Sequence, residues 1–448
     1  MSGPPPDPGE TPSDDATTVT APKDSSWSDG IALSASAGLS AVAGMLTWVI
    51  AARLVSPTTI GEVSAFVSAF LLVAGLTEFN LGVALMRWVP AAGRRTTAVI
   101  TRSFLAAAVA CAVVAPVYLL LPGADIILSA AGGGPTAVAL FALATIGWGI
   151  LHLTDFAFVA LERPWWSVAR NLVLGAGRIV ILLVLGAGVA STDLVWAWTG
   201  PITLCAVVFG VAAVVLAGRR SRAATSAPSA LPGRRQVLAF LGPTWVGTLG
   251  LALLYSQVPL VVTFRFGPEV GGGFFIVWQA ITVIDIVATY FVSSLAGTVA
   301  REPHRSTELA RTALRRLLVL FLPALAVGAL LAEPLLAIFG PNYTYLAGAL
   351  RILLAAAAVR LVVVHTLGVR QAVGDAVGFA RPNIVIAATT IIALILLPAG
   401  LGAVPTVVAW AFLGLQVVAA VTLLVTQRSR ARTVPAFLRP GPDTAAES

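Results

Sequence analysis

AARLVSPTTIGEVSAFVSAFLLVAGLTEFNLGVALMRWVP, residues 51–90, decides the fold class. An apolar run ends at Arg53, a turn follows through Ser56, Pro57 and Gly61, and a second apolar run extends from about residue 60 to residue 83. A helix needs about 20 predominantly apolar residues to cross the hydrocarbon core of a bilayer. The stretch is therefore predicted to be a transmembrane hairpin. Working outward, further runs of that length lie near 31–52, 99–121, 136–160, 171–190, 197–217, 238–263, 273–299, 317–339, 346–368, 382–401 and 405–426. With the run at 60–83 they predict an all-α polytopic membrane protein of about 12 spans.

Composition excludes the soluble alternatives. Hydrophobic residues make up 58% of the 448 and charged residues 11%, against about 25% charged in an ordinary soluble domain. The net charge of +8 does not point to nucleic acid, because the basic residues cluster in alternate connections. One set holds Arg87, Arg94, Arg95 and Arg102, then Arg163 and Arg170, then Arg219, Arg220, Arg222, Arg234 and Arg235. It continues with Arg301, Arg305, Arg311, Arg315 and Arg316, then Arg370 and Arg381, and ends in a tail with Arg428, Arg430, Arg432 and Arg439. The opposite set has Arg53 and Arg265 at span ends, with the acids Asp125, Asp193, Glu269 and Glu333. The positive-inside rule then places both termini in the cytoplasm. Lys23 is the sole lysine, and the arginine, alanine, valine, leucine and glycine bias is that of a GC-rich bacterial genome. Localisation in a bacterial cytoplasmic membrane follows.

Residues 1–28 are rich in Pro, Asp, Ser and Thr and are predicted to be disordered. No short apolar segment with a basic flank precedes the first span, so no cleavable signal peptide is expected. GRRSRAATSAPSALPGRRQ, residues 218–236, has the composition of a linker. It separates two lobes of six helices, 29–217 and 237–426, and a basic cytoplasmic tail occupies 427–448. A repeat supports the division. The turn after the first span carries Pro57 and Gly61, and the turn after the seventh carries Pro268 and Gly272, each 211 residues further along. Both halves would start in the same direction, as parallel repeats about an axis along the membrane normal. Pro and Gly also punctuate turns of no special meaning.

Three patches resemble the polysaccharide and oligosaccharide-lipid flippases of the multidrug/oligosaccharidyl-lipid/polysaccharide exporter superfamily. They are Ala52-Arg53-Leu54-Val55-Ser56-Pro57 with Gly61, then Asn80-Leu81-Gly82-Val83, and Ile338-Phe339-Gly340-Pro341-Asn342-Tyr343. Ser56 stands where such proteins usually have Gly, and Glu62-Val63 where an aromatic is common. The resemblance implies two six-helix lobes around a central cavity that opens alternately to each side. It also implies a lipid-linked oligosaccharide or polysaccharide precursor, of the polyprenyl-pyrophosphate type, as cargo, with glycan-assembly enzymes as partners.

Ionisable groups within spans are costly and mark cavities or partners. The acids are Glu78, Asp155 and Asp285; the bases include Arg178, Arg351, Arg360 and, near a span end, Arg265, with His152 and His365. Asp155 and Arg178 are expected at similar depth. Two readings of them stay open: an ion pair that lets the helices insert, or Arg178 as a phosphate site that Asp155 orients. His152, one turn from Asp155, tunes that pair or is a hydrogen-bonded core residue. Arg360 needs an anion, either Asp285 or a ligand. Arg351, Arg265 and Arg53 reach the outer interface or the substrate, and Glu78 forms a local pair near Arg87 or takes part in coupling. Arginine suits a pyrophosphate because its planar fork grips phosphate oxygens. Tryptophans such as Trp148, Trp165, Trp166, Trp196, Trp198, Trp245 and Trp278 stack on sugars or form interfacial belts.

Two other functions fit the sequence less well. A secondary antiporter for small molecules is weakened because the first span contains no acid. RWVPAAGRR at 87–95 faintly resembles the basic loop of major facilitator proteins but lacks the Asp. A membrane-embedded glycan polymerase or glycosyltransferase needs acid/base groups on sizeable external loops, and the external connections are short. A non-enzyme is expected. No Gly-Lys-Ser/Thr phosphate loop exists, so ATP hydrolysis by this chain is not expected. Cys111, Cys205 and three histidines make no metal framework, so no metal or other cofactor is expected.

Overall fold

The computed structural model describes residues 25–224, 231–301, 306–398 and 400–432. Among them the chain is helical. The first half comprises α1 (Ser25–Leu54), α2 (Pro57–Thr77), the short α3 (Leu81–Trp88), α4 (Thr96–Tyr118), the short α5 (Ala124–Ala130), α6 (Gly134–Ala160), α7 (Trp165–Leu185) and α8 (Ser191–Ala223). The second comprises α9 (Arg234–Phe266), α10 (Pro268–Arg301), α11 (Ser306–Leu330), the short α12 (Ala332–Ala337), α13 (Ala347–Ala372), α14 (Ala376–Leu396) and α15 (Val404–Arg432). Eleven of the described helical segments are long and apolar enough to cross a membrane, and the apolar part of α1, Gly38–Leu54, makes a shorter twelfth. A 21-residue helix such as α2 is about 31 Å long, which matches the hydrocarbon core.

The same helix pairs form in each half. α1 packs on α7 as α9 packs on α14, α6 on α8 as α13 on α15, and α2 on α6 as α10 on α13. Each half is a lobe, and α2 joins the lobes by packing against both α9 and α10. The repeated Pro and Gly residues make that junction. A Cβ on Gly61 would overlap the Pro268 carbonyl, and a Cβ on Gly272 would overlap the Pro57 carbonyl. Each hairpin thus presses its glycine onto the other's proline, at the end of the molecule away from the arginine-rich connections. Small residues permit this backbone approach.

Local chemistry shapes the two hairpins differently. Ser56 caps α2, its hydroxyl accepting from the Thr59 amide at 3.2 Å, with Pro57 at the first helical position. Its φ of −70° needs no glycine, which accounts for the serine there. In the second hairpin Gly267 adopts φ +92°, a conformation that glycine reaches without a Cβ penalty, and Pro268 starts α10.

Four boundaries differ from expectation. Of residues 1–28, expected to be disordered, 25–28 belong to α1, and 1–24 lie outside the described residues. The expected linker is partly helical, since α8 runs to Ala223 and α9 starts at Arg234, leaving 225–230 outside the description. α15 carries the basic tail to Arg432, and 433–448 lie outside. The second span stops at Thr77 rather than near 83, because Phe79 and Asn80 adopt φ of +49° and +56°. Such left-handed residues cost about 1–2 kcal/mol each and persist where the surroundings hold them. The opposite lobe supplies that hold: Trp245 packs on Phe79 with ring centroids 5.2 Å apart and donates from Nε1 to the Leu76 carbonyl at 3.0 Å. Thr248 Oγ1 donates to Asn80 Oδ1 at 3.3 Å.

The glycine junction predicts that Gly61→Ala and Gly272→Ala each destabilise the protein by about 1–3 kcal/mol, the usual cost of overpacking. Gly75→Ala, where an added Cβ meets nothing, should have little effect. Thermal unfolding of the purified protein in detergent checks this; equal midpoints for all three variants would contradict the interlock.

Candidate functional site

Between the lobes lies a cavity of about 170 Å³. Its walls come from α1 (Ser40 to Trp48), Trp148 of α6, Arg178 of α7, Trp198 of α8 and the Gln279–Ile286 segment of α10. Trp48 closes it toward the arginine-poor end, packed on Phe275 of the other lobe at 4.6 Å and on Trp198 at 4.9 Å. Nearby, Gln257 Nε2 of α9 donates to Tyr118 Oη of α4 at 2.7 Å.

Arg178 is the charged residue of this wall. Its guanidinium carbon stands 3.9 Å from the centre of the Trp198 ring. The residue is 6% exposed, and its Nε and Nη2 have no hydrogen-bond partner among the described residues. A cation–π contact is worth about 2 kcal/mol when desolvated. Withdrawing a charge from water costs several kcal/mol even after relaxation, so the stacking alone does not compensate. Arg178 is a cation in want of an anion, at the edge of a cavity.

Asp155 does not provide it. Asp155 pairs instead with Arg170, Nη2 to Oδ2, at 2.7 Å, and Arg170 Nη1 also donates to the Leu151 carbonyl. The reason is register. α7 begins at Trp165 rather than near 171, so Arg178 lies thirteen residues into it, about 20 Å deep. Arg170 is five residues in, and Asp155 is five residues from the end of α6, so these two stand level. The apolar pattern places Arg170 in a connection, whereas it lies within α7. His152 does not tune this pair through contact; its Nδ1 bonds Glu78 Oε2, which joins α6 to α2. Glu78 is thereby a partner across helices.

Asp285 supplies the anion for Arg360. The two are buried at 0% and 2%, with Arg360 Nε on Asp285 Oδ2. Tyr255 Oη donates to the same carboxylate oxygen at 2.8 Å, and Arg360 Nη1 donates to Gln416 Oε1 at 3.2 Å. Tyr255 and Gln416 escaped the reading of the sequence, although a mid-span Gln is itself a signal of a polar partner. This network joins α10 to α13, the counterparts of α2 and α6. Asp285 follows Glu78 by 207 residues and Arg360 follows His152 by 208, about one helical turn short of the hairpin offset. Each lobe thus staples its second span to its fourth with an acid and a base.

The remaining arginines bond to main-chain carbonyls at the arginine-poor end. Arg265 Nη2 donates to Leu397 O at 2.8 Å, Arg351 Nε to Ala329 O at 3.1 Å and Arg53 Nε to Ile338 O at 2.7 Å. These carbonyls lie at or near the C-termini of α14, α11 and α12, where the helix leaves its last acceptors free and cations are favoured. Of the four arginines expected to hold substrate, Arg178 lines the inter-lobe cavity; Arg265, Arg351 and Arg360 do not. Among the tryptophans, Trp148 and Trp198 line the cavity, and Trp278 is core against Phe412. Trp165, Trp166 and Trp196 face outward.

Solved structures share this architecture. An inward-facing multidrug resistance MATE family transporter aligns with a TM-score of 0.63 over 88% of this chain and 96% of its own, at 16% identity. The lipid II flippase MurJ, in an inward closed conformation, aligns at 0.64 over 89% and 87%, at 13% identity. A MOP superfamily transporter from Pyrococcus furiosus aligns at 0.59 over 90% and 95%, at 16% identity. The chain shares the fold of these solved transporter structures. No family model and no curated protein matches the sequence.

The buried pair yields a stability prediction. Asp285→Ala strands Arg360 and should cost about 3–5 kcal/mol, whereas the double change Asp285→Leu with Arg360→Met should recover most of that. Unfolding midpoints of the two variants in detergent decide it; a double variant no more stable than Asp285→Ala would overturn the pairing as the stabilising unit.

Proposed function

We propose that the protein is a flippase that carries a lipid-linked oligosaccharide or polysaccharide precursor across a bacterial cytoplasmic membrane by alternating access. Its arginine-rich end and both termini face the cytoplasm. The observation that carries this reading is Arg178, buried in a span with two nitrogens unpartnered among the described residues and set into the cavity between the lobes. A phosphate of a polyprenyl-pyrophosphate carrier is the anion it would take. Charge-assisted bonds from a guanidinium to phosphate are strong in a low-dielectric setting, and Trp48, Trp148 and Trp198 offer faces for a sugar. The MurJ likeness supports a lipid-linked cargo, since that protein is named as a lipid II flippase.

The size of the cavity qualifies how cargo is held. At about 170 Å³ it is smaller than the roughly 300–1,000 Å³ of drug-sized ligand sites. At this size it takes a phosphate-sized group; the glycan requires the lobes to move further apart. The contacts of Trp48, Gly61 and Gly272 close the end we assign to the outside. In keeping with that, the inward-facing MATE family structure aligns better, at 0.63, than an outward-facing one at 0.57.

The same small volume favours a second reading, a secondary transporter of small organic anions. The two diverge in reconstituted vesicles. The flippase reading expects a fluorescent polyprenyl-pyrophosphate saccharide to exchange leaflets with the wild type. It expects about tenfold slower exchange or more for Arg178→Gln, the loss of one charge-assisted hydrogen bond, and partial retention for Arg178→Lys. Uptake of a soluble organic anion without lipid exchange would support the second reading and contradict the first.

A further inference from the structure

A second basic site lies on the C-terminal lobe, outside the inter-lobe cavity and lined by none of its residues. A crevice of about 640 Å³ between α10 and α11 is lined by Phe291, Thr312, Arg315, Arg316, Val319 and Leu320. Five of these residues belong to α11, spaced so that they share one face of that helix. The order of chemistry along the face is a hydroxyl, two guanidiniums, then two aliphatic side chains. Arg315 and Arg316 are exposed and form no ion pair with any described residue. Among the described residues no carboxylate lines the crevice. We propose that it holds an anionic phospholipid of the surrounding bilayer, phosphate against Arg315, Arg316 and Thr312, and one acyl chain along Val319 and Leu320.

Depth and position support this occupant. The arginines lie at the arginine-rich end of α11 and the aliphatic residues one turn further into the span, which is the polarity of a phospholipid. Burying the aliphatic stems of long basic side chains while their heads stay at the interface is favourable. α11 is also the most peripheral of the eleven longer described spans: 17% of its apolar window is buried, against 72% for α2. Its main neighbours are α10, α12 and α13 of its own lobe. A transported lipid would have to reach the face between the lobes, so a resident lipid is the better fit to this place. Such a lipid would fill the gap between α10 and α11, and so brace the helix that carries Asp285.

The test is native mass spectrometry of the full-length protein in detergent, with phosphatidylglycerol or phosphatidylcholine of the same chains added. The wild type should retain phosphatidylglycerol in preference to phosphatidylcholine. A juxtamembrane cation contributes about fivefold to anionic-lipid attraction, so Arg315→Gln with Arg316→Gln should bind phosphatidylglycerol about 25-fold less. Arg219→Gln with Arg222→Gln removes the same charge from the exposed end of α8, away from the crevice, and should bind as the wild type does. Equal loss in both double variants would mean a diffuse charge effect and would overturn the site, as would equal retention of the two lipids. Displacement of phosphatidylglycerol by polyprenyl phosphate, with Arg315 and Arg316 required for both, would replace the resident lipid by the cargo and also overturn the assignment. This result is independent of whether Arg178 acts in transport.

Discussion

The reciprocal contact of the two hairpins, Gly61 on Pro268 and Gly272 on Pro57, is the constraint on which the arrangement of the lobes depends. It is made of backbone on backbone, so it tolerates no added methyl on either side. Because the same contact is made twice about one axis, it sets the second span of each lobe against that of the other. The cavity at Arg178 exists because α1 and α10 are not in contact along their full length while α2 is clamped between α9 and α10. Trp48 on Phe275 then roofs that cavity. An interface with two such interlocks has few intermediate positions, since close-packed surfaces do not deform continuously. This favours a small number of discrete lobe arrangements over a gradual one.

Electrostatics divides the ionisable groups within the spans into two kinds, with His152 half-exposed among them. Glu78 with His152, Asp155 with Arg170, and Asp285 with Arg360 are matched within a lobe and tie neighbouring spans together. Breaking such a pair is far more costly than never having it, so each pins its helices. Arg178 is of the other kind. It is close to two lobes, stacked on one ring and short of hydrogen-bond acceptors. The two halves, alike in backbone and in their acid-base staples, differ here: the position 211 residues after Arg178 is Thr389, which bonds its own helix at the Val385 carbonyl. The repeat breaks at the residue that faces the cavity.

Much of the fold was legible in the sequence because a membrane imposes simple rules. Length of apolar run predicted the spans, and the matched offsets of Pro57, Gly61, Pro268 and Gly272 predicted the repeat. The pairing of Arg360 with Asp285 was one of two partners expected from burial alone. The site was less legible because partner choice depends on helix register, which hydropathy does not report. An error of six residues in the start of α7 moved Arg178 by nearly two turns, set it against Asp155 on paper, and hid Arg170. The break at Phe79 and Asn80 was invisible because its cause lies in another lobe, with Trp245 and Thr248. Arg265 and Arg351 drew attention as charges, whereas their partners are carbonyls, which a sequence does not distinguish.

The account turns on the hairpin interlock being a gate rather than a permanent seam. The most direct measurement places spin labels at Thr58 and Glu269, exposed residues beside the two prolines, and reads their separation by pulsed electron resonance in lipid nanodiscs. With a polyprenyl-pyrophosphate saccharide added, a second, longer distance should appear alongside the short one, and Arg178→Gln should suppress it. A single short distance under every condition, in protein that still exchanges the lipid between leaflets, would contradict the account.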